Sequence, residues 1–96
     1  MRIARPPGGF KISLSKNVKL LVDEHCTASE AFSRHWRDIL DRLRFTAHVE
    51  GVEITTFEPG SRLWSAAADN DKGVPRVRIV YRVVGSVLHI RVASIG

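Results

Sequence analysis

Hydrophobic and polar side chains sort most cleanly near the end of the chain. Residues 77–84 (VRIVYRVV) and 87–92 (VLHIRV) have the two-residue period of a β-strand. Between them, Gly85-Ser86 suits a type II′ turn, whose first central position needs a positive φ. The pattern predicts an antiparallel hairpin within Pro75–Gly96, with Val84 opposite Val87, Arg82 opposite His89, Val80 opposite Arg91 and Arg78 opposite Ala93. One face then carries Val77, Ile79, Tyr81, Val83, Leu88, Ile90 and Val92. The other carries Arg76, Arg78, Arg82, His89 and Arg91, with Val80 and Ala93 among them. If the second strand, Val87–Ala93, lies at a sheet edge, it is free to pair across a dimer.

Upstream the period changes. Phe10, Ile12 and Leu14 alternate with Lys11 and Ser13, which predicts a short half-buried strand. Ser15 is placed to cap a helix over about residues 16–25, with Val18, Leu21 and Val22 inward. Thr27-Ala-Ser-Glu30 reads as a capping box. From there Ala28, Phe32, Trp36, Ile39, Leu40, Leu43 and Ala47 recur at steps of three and four, the stripe of the chain's best helix. The charges between them read as a solvated face, whose exposed pairs contribute about 0.3–0.5 kcal/mol each.

Residues 48–57 alternate weakly, as a strand or an extended linker with Val52 and Ile54 on one side, and Pro59-Gly60 marks a turn. Residues 62–68 predict a strand whose three alanines let a helix approach closely, with Trp64 covering the gap. Asp69–Gly73 is a turn cluster. Residues 1–9, with a Pro pair and a Gly pair, read as a flexible basic arm, which leaves 10–96 as one domain. The expected architecture is α+β, with two N-terminal helices packed on one face of a mainly antiparallel four-stranded sheet.

Composition narrows the partners. The 96 residues carry a formal charge of +5, which favours nucleic acid, the ribosome, an anionic membrane or an acidic protein. A single cysteine rules out an internal disulfide and suits a reducing cytoplasm. No apolar run approaches the roughly 18 residues of a membrane span. The four histidines have no metal-ligand spacing, so neither a metal nor a cofactor is expected. His35, beside the apolar stripe, reads as a half-buried packing residue. The hairpin's arginines repel one another unless an anion sits among them, and guanidinium groups fork onto phosphate.

The phrase Arg62-Leu-Trp-Ser, then Arg76-Val-Arg-Ile-Val-Tyr-Arg-Val, then Val87-Leu-His-Ile-Arg-Val-Ala-Ser-Ile-Gly96 resembles the RelE/ParE-like toxins of type II toxin–antitoxin systems. In that family a strand and two helices also precede the central hairpin. The resemblance implies a toxin that inhibits translation as a metal-independent ribonuclease cutting mRNA on the ribosome, the reading favoured from the sequence. The alternative is a non-catalytic interaction protein, either a poison of DNA gyrase or a degenerate toxin. Either form implies a cognate antitoxin and a cytoplasmic site of action. It places Arg78 at the family's strand arginine, as principal phosphate ligand, and Tyr81 at the aromatic that follows. Catalysis would then rest on Arg78, Arg82 and His89, with His89 as general acid or base, and RNA contact on Arg76, Arg91 and Arg62. Nuclease members carry basic residues on the preceding strand, where this chain has Trp64, Ser65 and the alanines. They also carry an arginine after the closing glycine, and the sequence ends at Gly96.

Overall fold

A computed structural model describes residues 6–96, so Arg2, Arg5 and the rest of residues 1–5 of the expected arm lie outside the described residues. Residues 6–9 form a turn, with the Gly9 N–H donating to Pro6 O at 3.0 Å. The next donor, Phe10 N, bonds Arg44 O at 2.8 Å and docks the segment on the second helix. The elements run β1 (Lys11–Leu14), α1 (Lys16–Ala28), α2 (Glu30–Thr46), β2 (Val52–Glu53), β3 (Ser61–Ala66), β4 (Val77–Val84) and β5 (Val87–Ile95).

Each helix starts where a serine supplies the missing acceptor. Ser15 Oγ accepts from Val18 N at 3.3 Å, and Ser29 Oγ accepts from Phe32 N at 3.1 Å. The predicted capping box is therefore not used. Thr27 sits inside α1, which runs three residues past the expected end, and its hydroxyl donates to Asp23 O. Extended Ser29 alone separates the two helices. The predicted stripe is otherwise the core face: Phe32, Trp36, Ile39, Leu43 and Ala47 are buried and Leu40 packs against them, whereas Ala28 is exposed.

The expectation of a four-stranded, mainly antiparallel sheet is corrected. The sheet has five strands in the order β1-β5-β4-β3-β2 and is mixed, because β1 pairs with β5 in parallel. Alternation within a strand says which side chains share a face but not which neighbour the strand will choose or in what direction. The parallel pairing puts β5 between β1 and β4, and β1 covers the outer edge of β5 over Val87–Ile90, the first part of the strand that was read as a possible dimer edge. The weak pattern at 48–57 reduces to the two-residue β2, and β3 stops at Ala66, leaving Ala67 and Ala68 exposed.

The hairpin turn forms at Gly85-Ser86, with Gly85 at φ +60°. Near the turn the register is as expected, with Val84 opposite Val87 and Arg82 opposite His89. It then slips. Tyr81 faces Ile90, but Val80 faces Val92, so Arg91 is an extra residue in a β-bulge. Beyond the bulge the predicted pairs shift by one, to Val80–Val92 and Arg78–Ser94, and the faces exchange. Val92 turns to the open side, while Ala93 and Ile95 pack against the core. Both helices cover the other side, over Val77, Ile79, Tyr81, Val83, Leu88 and Ile90.

Candidate functional site

The face of the sheet away from the helices carries most of the candidate residues. Arg78 is exposed, stands opposite Ser65 and Ser94, and has no ion-pair partner among the described residues. Arg76 is exposed just before β4. Arg82 and His89 face each other near the hairpin turn, and Arg91 stands at the bulge. At about 3.3 Å per residue, Arg78 lies about 13 Å along β4 from Arg82. Arg62 does not join the others. It lies on the helix side opposite Tyr81, where its guanidinium donates to Glu50 O at 2.6 Å and Gly51 O at 3.2 Å.

The anion expected among the arginines is supplied by the chain. Glu58 bonds Arg82 Nη1 at 2.7 Å and Arg91 Nη2 at 3.2 Å. Its position is set by the Pro59-Gly60 turn, closed by Ser61 N–H donating to Glu58 O at 3.1 Å, with Gly60 at φ +85° as a type II turn requires. All three side chains keep 38–53% of their surface, so solvent screens the pairs and each contributes about 0–1 kcal/mol. Sequence reading passed over Glu58, yet a signal existed. The turn ends at Ser61, and Ser61 pairs with Arg82, which sets the preceding carboxylate over that arginine.

The middle of this face is apolar. Val80 is 8% exposed, flanked by Leu63 at 36% and Val92 at 41%. A cleft of about 320 Å³ opens here between Phe57, Glu58, Ser61, Val80, Arg82, Arg91 and Val92. No cluster of metal-ligating side chains occurs among the described residues. No helix among them is long and apolar enough to cross a membrane.

A polar knot on the opposite side fixes β4 under the helices. The Tyr81 hydroxyl lies 2.8 Å from Ala47 O and 2.7 Å from Glu50 O, with one proton to donate between them. Burial pushes this phenol up to about 12, against the pull of the Arg62 charge. Native Tyr81 therefore stays neutral, and its contribution is complete below about pH 10 and lost as pH rises toward 12. It is the only tyrosine in the chain, so phenolate absorbance reports it directly. A midpoint near 12 is expected in the folded protein, falling to about 10 in denaturant.

Glu50 closes the same knot. Burial pushes its carboxyl up, but hydrogen bonds from Arg42, Thr46 and Trp64, with the Arg42 charge, more than offset this and hold it below the ordinary 4.5. The depressed value means that its stabilisation is present above about pH 4.5 and lost as pH falls through the native value. Glu50→Gln should cost about 1 kcal/mol at neutral pH, and the two proteins should converge in acid. Thermal melts from neutral to acid pH check this.

Comparisons with protein families, with curated proteins and with solved structures find no match to this chain. The likeness to RelE/ParE toxins rests on its own residues and element order.

Proposed function

We propose that the chain is the toxin or toxin-like component of a type II toxin–antitoxin system, and that it acts by contact with a target protein rather than by cutting RNA. The family half is supported by the Arg62–Gly96 phrase, by a strand and two helices preceding the hairpin, and by the excess of cations. The non-catalytic half is carried by the dispersal of the candidate catalytic groups. Along the strand backbone Arg78 stands about 13 Å from the Arg82–His89 pair, a span that the side chains bridge only when extended toward each other. Groups that stabilise the charge on one reacting phosphate must all lie within hydrogen-bond reach of it.

The same face suits protein contact. Leu63, Val80 and Val92 form an apolar centre with arginines around it, and protein interfaces combine an apolar core with a polar rim and are enriched in arginine relative to the rest of the surface. In this reading the protein works in the cytoplasm on DNA gyrase or another large protein, and a cognate antitoxin neutralises it. Cleavage of mRNA on the ribosome keeps one observation in its favour, the exposed and unpaired Arg78. Induced expression in a bacterium tests the proposal. Growth arrest is expected, and normal growth with the folded protein detected in the cells would overturn it.

A further inference from the structure

Glu58 sits in a site made by two guanidinium groups from neighbouring strands. We propose that Arg82 and Arg91 form a binding site for a phosphate group, and that Glu58 is its internal occupant, displaced when the ligand enters. Arg82 Nη1 takes one carboxylate oxygen at 2.7 Å, and Arg91 Nη2 takes the other at 3.2 Å. Two oxygens on one centre, each met by a different guanidinium, is also how phosphate is held. A terminal phosphate brings about −1.5 to −2 charges at neutral pH, against one for the carboxylate.

The occupant is free to leave. The backbone of Glu58 is fixed by the turn hydrogen bond to Ser61, so only its side chain has to rotate outward. All three charged side chains are partly open to solvent, and the contact that must break is correspondingly weak. The cleft beside them, about 320 Å³, has room for a phosphate group, with buried Ser61 and Val80 in its lining and Phe57 and Val92 on its rim. His89, in register with Arg82, adds a polar neighbour on the next strand. The site rests on this geometry alone and stands whether or not the chain is a toxin.

The test is a titration of the full chain with inorganic phosphate at constant ionic strength, followed by the backbone amide shifts of residues 58, 82 and 91. Glu58→Gln removes the competitor and keeps the side-chain shape, and it should tighten phosphate binding about fivefold. Glu58→Ala should give a similar gain, and adding Arg91→Gln to either variant should cancel it. Unchanged or weaker binding by both Glu58 variants, or a gain that survives without Arg91, would overturn the proposal. A short oligonucleotide with and without a 5′-phosphate separates the sources. Preference for the phosphorylated strand identifies a terminal phosphate, and equal binding identifies the backbone. Binding indifferent to both Glu58 and Arg91 contradicts the site.

Discussion

Gly51→Val is expected to destabilise the protein by about 3 kcal/mol, more than any charge substitution on the open face. Gly51 has φ +78°, a region that side chains with a Cβ enter at a cost of about 1–2 kcal/mol. A Cβ there would stand 3.0 Å from Leu63 O and 3.0 Å from the Tyr81 hydroxyl, so the surroundings must shift as well. The shift pulls Tyr81 from Ala47 O and Glu50 O, and a polar group left buried without its partner costs about 1–3 kcal/mol. For a domain of this size the midpoint of thermal unfolding should fall by about 12–24 °C. A fall of only a few degrees would mean that the knot holding β4 under the helices contributes little.

The second large effect is on growth. Arg78→Glu should abolish the arrest caused by induced expression while leaving the thermal midpoint within a few degrees of the parent. Arg78 is exposed, has no ion-pair partner among the described residues and faces two serines, so folding does not depend on its charge. In binding, the reversal replaces a rim cation with an anion, and setting like charges against each other across an interface costs several kcal/mol. Each 1.4 kcal/mol is about tenfold in affinity, so affinity for the target should fall by well over tenfold. Colony counts on inducing medium, set beside melts of the two purified proteins, check both halves. Arrest by a folded Arg78→Glu variant would remove Arg78 from the contact surface.

Much of the fold was legible in the sequence because local chemistry dictates it. The Gly85-Ser86 turn, the serine cap of α1, the Pro59-Gly60 turn and the stripe from Phe32 to Ala47 each follow from a few neighbouring residues. What stayed hidden was set at a distance. Strict alternation cannot register an extra residue, so the bulge at Arg91 reversed Val92 and Ala93 without a mark in the pattern. Nothing within Lys11–Leu14 says that it will lie parallel to β5 rather than along another edge.

The site was legible in the same uneven way. The arginines of the open face stood out, and an anion was expected among them; one carboxylate meets Arg82 and Arg91, while Arg78 has no ion-pair partner among the described residues. That carboxylate comes from a loop, visible only once β3 and β4 are in register. Arg62 looked like another member of the basic face. Its position in β3 turns it inward, where two backbone carbonyls take its donors.

The central claim, contact without cleavage, is tested most directly by mapping mRNA 5′ ends in cells arrested by induced expression. The account predicts arrest with the same ends as uninduced cells, both on reporter transcripts and at ribosomal A sites. New ends at A-site codons that vanish in Arg78→Ala would contradict it and establish Arg78 as a ligand of the scissile phosphate.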